Sequence, residues 1–108
     1  MNPLPSGKRD QRIAFERGMV TTDDHGEDVL TWAEIGERWA AVNYGRGDER
    51  RQSAREGAVQ PATFIVLTDE LTRTLLPTDR ISFSGVWNIA GGVPRGRAEI
   101  EFSAVRAS

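Results

Sequence analysis

Cysteine is absent from all 108 residues, and there is only one histidine. The first absence removes disulfides, thiolate metal sites and cysteine nucleophiles together, and points to a reducing compartment such as the cytoplasm. The second leaves His25 alone among carboxylates, with too few nitrogen ligands for a zinc site and no elbow-like context in which to serve a serine nucleophile. Lysine is nearly missing as well, Lys8 being the one lysine among 14 basic residues. No long apolar run occurs. The stretch Met1 to Arg12 carries two prolines and mixed charge, unlike a signal peptide or a membrane span, so residues 1–10 are expected to be a disordered lead-in.

What remains fits one domain over residues 11–108, and the length leaves no room for a second. A formal net charge of -2 argues against an electrostatically driven nucleic-acid binder. The charge is unevenly placed, however. Asp23, Asp24, Glu27, Asp28, Glu34 and Glu37 fall in a stretch without Lys or Arg, and Arg46, Arg50, Arg51 and Arg55 follow just after it. Such asymmetry suits either a head-to-tail contact between identical subunits or a solvated surface with locally segregated charge.

Short strands are expected along most of the chain. Ile13 and Phe15 alternate with polar or small neighbours over about Gln11 to Met19, and Thr22 to Glu27 has the composition of a hairpin turn around Gly26. Val29 to Tyr44 reads two ways. Val29, Trp32, Ile35 and Trp39 lie near helical spacing, whereas Thr31-Trp32 and Trp39-Ala40-Ala41-Val42 favour a strand. Residues 45–60 hold Gly45, Gly47 and Gly57 and no apolar side chain larger than alanine before Val59, so they are expected to form a long loop. Ala62 to Thr68 is a β-branched strand, and Asp69 to Leu76 offers a helical turn that Pro77 ends. Asp79 to Phe83 and Val86 to Ala90 flank a reversal at Ser84-Gly85. Gly91 to Gly96 forms a second turn, and Ala98 to Val105 closes the chain with Ile100, Phe102 and Ala104 on one face. The expected fold is mainly β: a small antiparallel β-barrel with a long loop inserted between strands.

Catalytic chemistry finds no support. The acidic turn Asp23 to Asp28 lacks the ligand order of a calcium loop, Gly91-Gly92 is too short to cradle phosphate, and Glu99 with Glu101 is what any solvated sheet face presents. No catalytic, cofactor or metal residues are therefore assigned. Phe15, Trp32, Trp39, Phe64, Trp87 and Phe102 are the expected core aromatics, since fully burying a large apolar side chain contributes ~1.5–3 kcal/mol.

In order, Arg12-Ile13-Ala14-Phe15-Glu16-Arg17, a turn at Gly26, Thr31-Trp32-Ala33-Glu34, Trp39-Ala40-Ala41-Val42 entering a polar loop, and Thr78-Asp79-Arg80-Ile81-Ser82-Phe83-Ser84-Gly85-Val86-Trp87-Asn88-Ile89 resemble the head-tail joining (head-closure or stopper) proteins of tailed bacteriophages and their gene transfer agent relatives. The match runs from Gln11 to Arg106, with Ser84-Gly85 where Asp-Gly is more usual.

The resemblance implies a non-enzymatic virion component at the head-tail junction, assembled in the bacterial cytoplasm as a homo-oligomeric ring of six or twelve copies. Its partners would be portal-side adaptor and tail-side terminator or tube proteins, with packaged double-stranded DNA in transit and no membrane. It also implies that Val29 to Tyr44 is strand from Trp39 onward. Loop 45–60, through Arg46, Asp48, Glu49, Arg50, Arg51, Arg55 and Glu56, would then face the channel or a neighbouring ring. Four arginines less three acids leave it at +1, suited to weak, sliding contact with DNA. A free-standing small-barrel nucleic-acid-binding domain is the alternative.

Overall fold

A computed structural model describes residues 9–44 and 59–107. Strands β1 (Gln11–Thr22), β2 (Asp28–Asn43) and β3 (Val59–Leu67) are followed by a one-turn helix α1 (Glu70–Arg73). Strands β4 (Arg80–Ser82), β5 (Val86–Arg95) and β6 (Glu99–Ala107) complete the chain. Every pairing is antiparallel. The order β1-β2-β3-β6-β5-β4 returns from β4 to β1, so the sheet closes as a barrel and the paired strands have no free edge at its waist.

The inner face carries the alternation expected of half-buried strands. Ile13 and Phe15 of β1, Phe64 and Val66 of β3, Ile81 of β4, Trp87 and Ile89 of β5, and Phe102 and Ala104 of β6 are all buried. Phe64 meets Trp87 edge-on with ring centroids 5.6 Å apart, and Phe15 meets Phe102 at 5.9 Å. The Trp87 indole Nε1–H donates to the Phe83 carbonyl at 2.9 Å, so the largest core side chain buries no unpaired donor.

Several expectations need correction. Val29 to Tyr44, which read two ways, contains no helix: β2 runs from Asp28 to Asn43, strand from Trp39 onward as the resemblance implies, and a bulge interrupts its alternation. Phe15 pairs with Gly36 but Glu16 pairs with Glu34, which leaves Ile35 as an extra residue and shifts the alternation by one. Trp32 and Trp39, seven apart, would lie on opposite faces of a regular strand. Across the bulge they share the outer face.

The expected turn at Gly91–Gly96 is mostly strand, because β5 continues to Arg95. Gly92 sits opposite Phe102, and a Cβ there would lie 2.8 Å from the Phe102 ring; the glycine makes room for the aromatic rather than a bend. Pro61 and Pro94 both lie within strands. β3 meets β2 only from Thr63, and β5 meets β4 only up to Asn88, so each proline occupies a stretch with one strand neighbour, where a missing N–H is tolerated. The reversal after β4 takes in Phe83, with Ser84 at φ 49° and Gly85 at φ 117°. Of the expected loop 45–60, Val59 and Gln60 begin β3. Its remaining residues, like the lead-in 1–8, lie outside the described residues.

Candidate assembly surface

The strands of the first hairpin outrun the barrel. β1 meets β4 only at residues 14–16, and β2 meets β3 only at residues 41–43; from Arg17 and Ala33 outward the two strands pair with each other alone. Beyond Gly18 and Trp32 they form an arm with roughly 13 Å of paired strand, at ~3.3 Å per residue. Its end is tied by Asp23, whose Oδ1 accepts from the backbone N–H of His25 at 2.9 Å and of Glu27 at 2.8 Å, while Gly26 takes φ 81°. The arm exposes aliphatic side chains on both faces: Val20 and Leu30 on one, Met19 and Val29 on the other. Val20 is 68% and Leu30 58% exposed, an unusual cost for a ribbon only two strands wide.

A buried carboxylate fixes the root of the arm. Arg17 Nε donates to Asp79 Oδ1 and Nη2 to Oδ2, both at 2.9 Å, and Nη2 also reaches the Thr74 carbonyl at 3.1 Å. Asp79 has no exposed side-chain surface, and its Oδ2 accepts the Leu76 N–H at 2.8 Å as well. Burial alone would raise the Asp79 pKa. The Arg17 hydrogen bonds, the Leu76 N–H and the Arg17 charge together outweigh it, so the carboxyl is held below its ordinary value. The bond to Asp79 likewise raises the Arg17 pKa. Fully ionised and bonded on both oxygens, this pair acts as a clamp and has no proton to exchange near neutral pH.

A second clamp sets α1 against β2. Asp69 caps the helix, its carboxylate accepting from Thr72 N–H at 2.9 Å while Thr72 Oγ1 accepts from the Asp69 N–H at 2.8 Å. Arg38 Nε donates to Asp69 Oδ2 at 2.7 Å. Burial opposes ionisation of Asp69, but Arg38 and Thr72 outweigh it and lower the pKa. Gly36 admits Leu71, whose Cδ2 would lie 2.5 Å from a Cβ at that position.

Two of the six expected core aromatics are not in the core. Trp39 is 52% exposed and Trp32 is half-buried; both lie on the outer wall, each under an arginine. The Arg12 guanidinium carbon is 5.3 Å from the Trp39 ring centroid, and that of Arg80 is 3.9 Å from Trp32 while Arg80 Nε donates to Glu16 at 2.7 Å. Phe15, Phe64, Trp87 and Phe102 are buried. Arg46, Asp48, Glu49, Arg50, Arg51, Arg55 and Glu56 of the expected channel loop lie outside the described residues.

Three features escaped sequence reasoning. The aliphatic tip of the arm was visible as Met19-Val20 and Val29-Leu30 flanking an acidic turn, but not that no third strand covers it. Asp79 and Arg17 stand 62 residues apart and carry no local signal. The third is a cavity of about 310 Å³ between α1 and the β5–β6 pair, floored by Gly92 and Phe102 and edged by Leu76 and Val93, which are 50% and 57% exposed. Among the described residues no cluster of three or more metal-ligating side chains occurs, the acidic turn included. Nor is any helix among them long and apolar enough to cross a membrane.

Comparison with known proteins places these features in a family. The model of the phage head completion protein family matches residues 4–106. The solution structure of protein SF1141 from Shigella flexneri 2a is similar at 26% identity, covering 87% of this chain and 88% of that one, with a TM-score of 0.63. A chain in the virion of a native gene transfer agent particle shares the fold at 22% identity, with 92% and 94% coverage and a TM-score of 0.65. No curated protein matches at a significant level.

Proposed function

The chain belongs to the phage head completion protein family, and on that premise we propose that it is a non-enzymatic structural component of the head-tail junction in a tailed phage or gene transfer agent. In this reading it forms a ring of six or twelve copies between portal-side and tail-side proteins, leaving a channel for double-stranded DNA. The observation that carries the proposal is the family match over residues 4–106.

The geometry is in keeping with it. Asp79, the one fully buried carboxylate among the described residues, is consumed in holding the arm, and the apolar side chains of the arm face solvent as in a subunit awaiting neighbours. Loop 45–60, with four arginines against three acids, would act as the gate, holding packaged DNA and moving aside at ejection.

Electron microscopy of particles made without this chain tests the reading. Filled or leaking heads without tails are the expected product, and normal tailed particles would refute it. Deletion of residues 46–56 isolates the gating role: the chain should fold and enter particles, which then lose DNA or fail to join tails. If such particles retain DNA and join tails normally, the loop is not the gate.

A further inference from the structure

The arm and the cavity are separate patches of one barrel. The arm leaves along β1 and β2, whereas the cavity lies between β5–β6 and the segment from α1 to Pro77, which Arg17 and Arg38 hold near the root of the arm. The first is an aliphatic knob and the second an aliphatic hole lined by Leu75, Leu76, Pro77, Val93 and Ile100. The hole is about 310 Å³, some twice the ~150 Å³ of a cavity that takes one benzene, and it has room for a pair of aliphatic side chains.

Their charges are complementary as well. Asp24, Glu27 and Asp28 stand at the end of the arm, where no basic residue occurs between Arg17 and Arg38. Arg73, the last residue of α1, is exposed and lines the cavity, and exposed Arg97 occupies the turn between β5 and β6.

We propose that the arm of one copy docks its tip, Val20 and Leu30 foremost, in the α1/β5–β6 cavity of a second copy of this chain. Knob and hole are different patches, so a copy whose arm docks in one neighbour offers its own cavity to the next, and the contact is head-to-tail. A two-fold pairing would instead exchange both arms between two copies and end at a dimer. Repeated, a head-to-tail contact generates a closed ring or an open helix, and the rotation per step decides which. The Arg17–Asp79 clamp gives the arm a fixed exit direction, as a constant rotation per step requires. Docking also covers aliphatic side chains that a two-stranded ribbon cannot cover by itself. The proposal deepens the connector reading and rests on it for the presence of many copies side by side.

The absence of cysteine allows a direct test. Particles carrying the double variant Leu30→Cys/Val93→Cys are oxidised and run without reductant. A ladder of covalent multimers is expected, with no cross-link in either single variant. Incorporation at the normal level without a ladder would overturn the docking and leave the connector reading standing. Dimers from Leu30→Cys alone, or dimers with no larger species from the double variant, would overturn it in favour of a two-fold contact.

Absence of the unaltered chain from particles would sink the connector reading and the docking together. As a second arm of the test, Val20→Asp/Leu30→Asp is expected to lower incorporation at least tenfold while the circular dichroism and melting of the isolated chain stay unchanged. Undiminished incorporation would count against the docking.

Discussion

Replacing Asp79 by alanine removes a carboxylate that accepts three hydrogen bonds, two from Arg17 and one from the Leu76 backbone. Breaking one side of a buried ion pair typically costs ~3–5 kcal/mol. Here the Arg17 side chain is 35% exposed and regains water, whereas the Leu76 N–H loses its acceptor, so a loss of ~2–3 kcal/mol is expected. For a domain of this size that lowers the melting temperature by ~10–20 °C.

The pH dependence sharpens the expectation. The Asp79 pKa is lowered in the fold, so its contribution is complete above the unfolded carboxylate value of ~3.9 and fades as pH falls through the lower folded value. The gap between wild type and Asp79→Ala should therefore be full at pH 7 and shrink below about pH 4. Urea unfolding followed by tryptophan fluorescence at pH 7 and pH 3 measures both. A loss under ~1 kcal/mol at pH 7, or a gap unchanged at pH 3, would refute the clamp.

The tryptophans should separate by wall: Trp87→Ala is expected to cost ~3–5 kcal/mol or prevent folding, Trp39→Ala under ~1 kcal/mol, as read by urea titration of each variant. Gly92→Ala places a methyl against the Phe102 ring and should cost ~1–3 kcal/mol, with near-ultraviolet circular dichroism reporting the displaced ring. Asp69→Ala removes the cap of α1 and should cost ~1 kcal/mol in the same titration. The Arg38 partner adds little to that, since both side chains are 35% exposed.

Much of the layout was legible locally. Period-two alternation at Ile13 and Phe15, the β-branched run before Thr68, the aspartate-glycine turn at Asp23 to Glu27 and the helical turn before Pro77 are all signals that residues within a few positions of one another supply. The helix-like spacing of Val29 to Tyr44 left helix and strand both open, because a single bulged residue puts Trp32 and Trp39, seven apart, on one face of a strand as a helix would. Its position depends on which residue of β1 lies opposite. Gly91 to Pro94 misled for a related reason, since a glycine that admits a ring from the next strand is indistinguishable, in sequence, from one that bends the chain.

By itself the sequence determined the mainly β class, the order of the elements, most of the turns between them and a resemblance strong enough to name a family, because each is written in short-range composition and spacing. Register, and therefore which wall each side chain faces, was decided only in the tertiary structure. Closure of the sheet through the three residues of β4 pairs strands distant in the chain. That pairing put Trp32 and Trp39 outside, buried Asp79 against Arg17, left the first hairpin without a third strand and opened a cavity between α1 and the β5–β6 pair. These follow from long-range contacts, whose partners a local pattern does not specify.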